Sequence, residues 1–133
     1  MSREILFRAK RIDSGKWVEG DLIHTPFVGD VKTVIYIDNG YYPHNYEVDP
    51  STVCQYTGLT DRNGAKIFDE DILEGSLDDD YPENVTRVVV KWDMYGYVLD
   101  QEDGSDPDPL DESDVDVWTV RGNVFENPEL LKG

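Results

Sequence analysis

Gln55-Tyr56-Thr57-Gly58-Leu59-Thr60-Asp61-Arg62-Asn63-Gly64-Ala65-Lys66-Ile67-Phe68 decides the fold of this chain, because it sets a tight-turn signal between two strand-like runs. Asn63-Gly64 tolerates the two successive positive φ angles of a type I′ turn, and the carboxylate of Asp61 is placed to brace it. Tyr56 to Leu59 leads in, and Lys66-Ile67-Phe68 leads out. Beyond the acidic step Asp69-Glu70-Asp71, Ile72-Leu73 supplies a second apolar pair. The stretch from Gln55 to Leu73 therefore reads as a β-hairpin unit, with Asp61, Asn63 and Gly64 as its structural residues.

On either side of this unit the β pattern continues. Glu4 to Arg8, Lys16 to Thr25, Lys32 to Ile37, Val85 to Trp92, Tyr95 to Leu99 and Val115 to Val120 are rich in β-branched and aromatic residues, and several alternate polar with apolar. Asp13-Ser14-Gly15 joins the first two as a hairpin loop, which predicts that Phe7 and Trp17 approach each other across the pair. Met94-Tyr95-Gly96 joins the later pair in the same way. The uninterrupted Val88-Val89-Val90 predicts a central strand covered on both faces. Helix is expected only at Pro128 to Lys132, with Asn127 as its cap and Pro128 at the first position.

Two interruptions break the pattern. Tyr41 to Pro50, aromatic and holding Pro43 and Pro50, predicts an irregular connection that divides an N-terminal β subdomain, residues 1–48, from a hairpin-bearing unit, residues 49–133. Asp100 to Asp116 is acidic at nine of seventeen positions and contains Gly104, Pro107 and Pro109, so a mobile, solvated loop without regular structure is expected. Asp78 to Glu83 is a shorter version of the same thing. At 133 residues, 38% hydrophobic with eight Tyr, four Phe and three Trp, the chain has enough apolar material for one compact domain. The fold class is mainly β: a small barrel or curled antiparallel sheet with an N-terminal β extension and little helix.

The hairpin unit, taken with the closing Gly122-Asn123-Val124-Phe125-Glu126-Asn127-Pro128-Glu129-Leu130-Leu131, resembles the YopX family of small bacteriophage and prophage proteins. The likeness runs over Arg3 to Gly20, Val48 to Leu73, Val88 to Leu99 and Gly122 to Leu131. It implies an SH3-like barrel in the part that carries the hairpin, no catalytic activity, and an accessory protein of an infected or lysogenic bacterial cell. Two departures stand out. Glu70 occupies the place where the family pattern has glycine, which puts a positive-φ conformation in question. The acidic Asp100 to Asp116 segment lies outside the shared pattern.

Chemistry-bearing residues are sparse. His24, His44 and Cys54 share no motif spacing; Cys54 lies in the alternating run Thr52 to Tyr56 and reads as a small buried residue, and His44 reads as loop surface. Asp69, Glu70 and Asp71 could supply a general acid and base on paper, but pairing with Arg62 or Lys66 across the hairpin is the better role. No catalytic, cofactor-binding or metal-ligating set is expected. An EF-hand loop does not fit around Gly104, and no Cys or His pair has zinc spacing, which leaves weak divalent-cation association with the acidic segment as the remaining metal chemistry.

With 12 basic and 29 acidic residues the formal charge is −17, so direct nucleic-acid binding is not expected and a protein with a basic surface is the natural partner. Asp100, Glu102, Asp103, Asp106, Asp108, Asp111, Glu112, Asp114 and Asp116 are the candidate partner-binding residues. A DNA-mimic inhibitor of a nucleic-acid-binding protein is the alternative. Pairing of a second copy along Glu4 to Arg8, taken as an exposed edge strand, would give a homo-oligomer. One cysteine, no apolar run suited to a signal peptide and no membrane-length apolar stretch point to the host cytoplasm and away from a membrane.

Overall fold

β-branched and aromatic residues carry most of the backbone into strands. The computed structural model describes residues 4–27, 30–38, 43–78, 80–93, 96–112 and 116–131, with main chain alone at 24–27, 30–31, 38 and 43. Among these residues the strands are β1 (Phe7–Lys10), β2 (Trp17–Phe27), β3 (Asp30–Asp38), β4 (Pro43–Glu47), β5 (Cys54–Thr60), β6 (Lys66–Phe68), β7 (Asp71–Gly75), β8 (Thr86–Asp93), β9 (Gly96–Asp100), β10 (Asp108–Pro109) and β11 (Thr119–Asn123). Short 3-10 turns occupy Pro50–Thr52 and Pro128–Leu131. The fold is mainly β, in two antiparallel sheets ordered β4-β3-β2-β1-β5-β6 and β10-β9-β8-β7-β11. Neither sheet closes on itself, so the barrel form is not adopted.

The chain divides into two units, Met1–Tyr56 and Thr57–Gly133, with the boundary inside β5. In the first unit Ala9, Ile35 and Val48 form a buried core, with Phe7, Val18, Leu22, Ile37 and Val53 packed against it. The loop between β1 and β2 is closed at its base by Arg11 N–H donating to the Lys16 carbonyl at 2.9 Å. Pairing therefore starts at Lys10 opposite Trp17 and puts Phe7 opposite Gly20. Phe7 and Trp17 are three residue pairs apart, against the sequence expectation; Trp17 instead has the Arg8 guanidinium 5.0 Å and the Lys10 ammonium 5.6 Å from a ring centroid.

Two further expectations for this unit are corrected. Residues 43–47 are a strand, β4, paired with β3 from Val34 opposite Glu47 to Asp38 opposite Pro43. Proline is compatible with this because it begins the strand and the strand lies at the sheet edge. β1 is not an edge strand: Phe7 and Arg8 pair with Gln55 and Cys54 on the side away from β2. The edge proposed for self-pairing is thereby occupied.

In the second unit β8 sits inside its sheet, between β7 and β9. Val88 and Val90 enter a core with Ile67, Leu73, Leu99 and Trp118, while Val89 stands on the opposite face, paired with Ile72. Val89 and Ile72 are fully buried too, so the triple-valine run is covered on both faces. Each such side chain contributes roughly 1.5–3 kcal/mol of burial. Glu74 of β7 braces both neighbouring strands, with Arg87 Nε at 2.9 Å and Arg121 Nε at 3.2 Å.

The acidic segment is more ordered than its composition predicts. Asp108–Pro109 forms β10 against Leu99 and Val98, and the Leu110 N–H donates to the Tyr97 carbonyl at 3.0 Å. Leu110 then packs on the core of the unit, anchoring the segment at its middle. The expected strand 115–120 begins instead at Thr119; residue 115 lies outside the described residues, as do Met94 and Tyr95 of the expected β8–β9 loop and the Lys132 end of the terminal turn.

Candidate functional site

The polar residues of the hairpin and of the closing segment are used to tie backbone together. Asp61, 5% exposed, accepts at Oδ1 from the N–H groups of Asn63 at 2.8 Å and Ala65 at 2.9 Å, and at Oδ2 from the N–H of Val120 at 2.9 Å. Burial pushes this carboxyl up, but the donors from Val120, Ala65, Asn63 and Gly64 outweigh it and hold the pKa below the ordinary carboxylate value. Gly64 N–H closes the turn on the Asp61 carbonyl at 3.0 Å, and Gly64 has φ +85°. Asn63 is not in the left-handed region, so the turn is not type I′; it is centred on Arg62 and Asn63, with a left-handed glycine after it. The Asp61 side chain selects this form by holding two donors beyond the turn.

The acidic step after the hairpin is equally committed. Asp71 is 1% exposed and accepts from the Phe68 N–H at 2.8 Å. Glu70 keeps a left-handed backbone, φ +70°, although glycine is not there. Its N–H donates to the Val90 carbonyl at 2.8 Å and its carbonyl accepts from Val124 at 3.1 Å, and these bonds hold the conformation against its steric cost. Desolvation, with Asp69 adding to it, raises the Glu70 pKa. In the closing segment Asn123 Oδ1 accepts from the N–H groups of Phe125 at 3.0 Å and Glu126 at 2.9 Å. Asn127 turns its side chain back onto Asn123 N–H at 3.3 Å, while its carbonyl accepts from Leu130 at 3.1 Å, in place of a side-chain cap on the 3-10 turn. A Cβ at Gly122 would run into the Asn127 side chain, so the glycine is required by close approach.

Cys54 is buried, and its thiol donates to the Thr52 carbonyl at 3.3 Å. The His44 ring stacks on Tyr46 at 5.9 Å, and the side chain of His24 lies outside the described residues. Among the described residues no three His, Cys, Asp or Glu side chains come together as a metal site. No helix among them is long and apolar enough to cross a membrane.

The candidate partner-binding carboxylates fall into two groups. Asp100 and Glu102 flank Lys91, with its Nζ 3.8 Å and 2.6 Å away. The Glu102 hydrogen bond, first among the causes, raises the lysine pKa. Asp103 caps its own turn through Ser105, whose hydroxyl and N–H lower the carboxyl pKa. Asp106, Asp108, Asp111, Glu112 and Asp116 are exposed along the remainder, and Asp114 lies outside the described residues.

Charge is divided unequally between the units. Thr57–Gly133 holds 21 acidic and six basic residues, net −15, whereas Met1–Tyr56 holds eight and six, net −2. A feature not singled out from sequence adds to the acidic unit: Trp92 is 61% exposed at the end of β8, edge-on to Tyr97 with centroids 4.9 Å apart. Beside them Asp93, Gly96, Tyr97, Val98, Pro107 and Pro109 line an open cleft of about 230 Å³. The sequence signal for it was the alternation Val88, Val90, Trp92, which carries the core face of β8 out to solvent.

A family model described as YopX protein matches residues 6–132. The fold is similar to that in the crystal structure of protein EF1440 from Enterococcus faecalis, with a TM-score of 0.61 at 20% sequence identity over 98% of this chain and 100% of that chain. That likeness is one of fold. No match was found among curated protein sequences.

Proposed function

The chain belongs to the YopX family, and from that premise we propose that it is a non-enzymatic protein-binding module that engages a basic protein surface through its acidic second unit. The observation that carries this reading is the use of the signature polar residues. Asp61, Asp71 and Asn123 accept main-chain N–H groups in the scaffold, and Gly122 makes room for Asn127. The unpartnered chemistry of the second unit is instead a surface excess of carboxylates, net −15 in 77 residues. Such a surface attracts and orients a basic partner and repels polyanions. The module acts as a phage or prophage accessory protein in the cytoplasm of a bacterial cell.

Capture from bacterial lysate tests this, run at low and at high salt and again with duplex DNA as competitor. The reading predicts a partner retained at low salt, released by salt and indifferent to DNA. A partner that DNA displaces identifies the acidic surface as a DNA mimic. Turnover of a substrate by the purified chain would contradict the reading altogether.

A further inference from the structure

We propose that the cleft beside Trp92 is the docking point for an arginine side chain of a basic protein segment, an inference that rests on the protein-binding reading above. Trp92 and Tyr97 lie directly opposite each other on β8 and β9. Their edge-to-face contact would brace the hairpin whether or not anything bound there. Bracing does not account for a tryptophan left 61% exposed, since that exposure forgoes most of the burial the ring could supply. Tryptophan is the side chain best suited to hold a cation on its face, and one of those most often found at the centre of protein interfaces.

The walls of the cleft specify a donor ligand. Pro107 and Pro109 bring no N–H, and β9 is hydrogen-bonded to β8 on one side and β10 on the other. What the cleft and its rim offer is acceptors: the Asp93 carboxylate in the lining, and the exposed carboxylates of Asp106 and Asp108 beside the two prolines. A guanidinium is planar, permanently charged and donor-only, so it stacks on the indole and hydrogen-bonds to carboxylates in one placement. An ammonium supplies the charge without the planar stack, and a carboxylate or phosphate ligand is repelled. The second unit's net charge of −15 steers the basic segment towards the cleft.

The test uses the full chain and a fluorescein-labelled peptide, Gly-Arg-Gly-Arg-Gly, with Lys-for-Arg and citrulline-for-Arg peptides as comparators, read by anisotropy at low salt. The proposal expects the arginine peptide to bind more tightly than the lysine peptide, and the citrulline peptide to fail. Trp92→Ala should weaken arginine-peptide binding by roughly tenfold at unchanged net charge, with Trp92→Phe between it and the parent. In the 15N-edited NMR spectrum the Trp92 indole N–H should shift on titration while that of buried Trp118 does not. If Trp92→Ala binds as tightly as the parent while high salt abolishes binding, the cleft is overturned and the acidic-surface reading stands. If the parent does not distinguish arginine from citrulline, both are overturned.

Discussion

The Asp61 carboxylate accepts a 2.9 Å hydrogen bond from the main-chain N–H of Val120, 59 residues further along the chain. One side chain thus fastens the turn between β5 and β6 to β11. Replacing it with alanine leaves the N–H groups of Asn63, Ala65 and Val120 without their acceptor, and should cost about 2–4 kcal/mol, read as a fall in the urea midpoint. Because the folded pKa is depressed, the stabilisation is fully present above the ordinary carboxylate value and is lost as pH falls through the folded one. The stability difference between parent and Asp61→Asn should therefore shrink as pH is lowered from about 5 towards 2.

Glu70 carries the opposite sign. Its backbone is left-handed at φ +70° and its carboxyl pKa is raised, chiefly by desolvation. Glu70→Gly should stabilise the fold by about 0.5–1 kcal/mol at neutral pH, the relief of strain exceeding the extra chain entropy of glycine. A carboxyl whose folded pKa is raised favours folding below its unfolded value of 4.5, and that contribution is lost as pH rises through the folded pKa. The gain from Glu70→Gly should consequently be smaller at pH 4 than at pH 7, a comparison made by denaturant titration at the two values.

Gly122 and Asn127 form a coupled pair. A methyl group at position 122 displaces the Asn127 side chain and with it the bond to Asn123 N–H. Gly122→Ala should destabilise by about 2 kcal/mol in the parent and by well under half of that when Asn127 is already alanine. Additive losses in this double-mutant cycle would show that the two positions do not interact.

The sequence resolved periodic elements well and context-dependent ones poorly. Val88-Val89-Val90 announced a doubly covered strand because burial on both faces demands continuous apolar character. β4 was hidden because Pro43 reads as a breaker, and only its place at the start of an edge strand makes it harmless. β10 was hidden in the same way by Pro107, Pro109 and the density of carboxylates; Leu110, which anchors it, is a lone apolar residue with no periodic partner. The turn type was misjudged because Asn63-Gly64 is a local signal, whereas Asp61 settles the geometry through contacts on both sides of the turn. Of the candidate site, the carboxylates are legible from composition. Their concentration in one unit and the exposure of Trp92 follow only from the three-dimensional division of the chain.

The central claim is that recognition belongs to the acidic surface and folding to the signature residues. It is tested most directly by capture from bacterial lysate with a chain carrying Asp103→Asn, Asp106→Asn, Asp108→Asn, Asp111→Asn and Glu112→Gln, beside the parent. These side chains are exposed, so the variant should unfold within about 0.5 kcal/mol of the parent for each change, whereas deletion of the segment would remove Leu110 from the core. The account predicts a folded variant that no longer retains the partner held by the parent at low salt. A folded variant that still holds the same partner, at low and high salt alike, would contradict it.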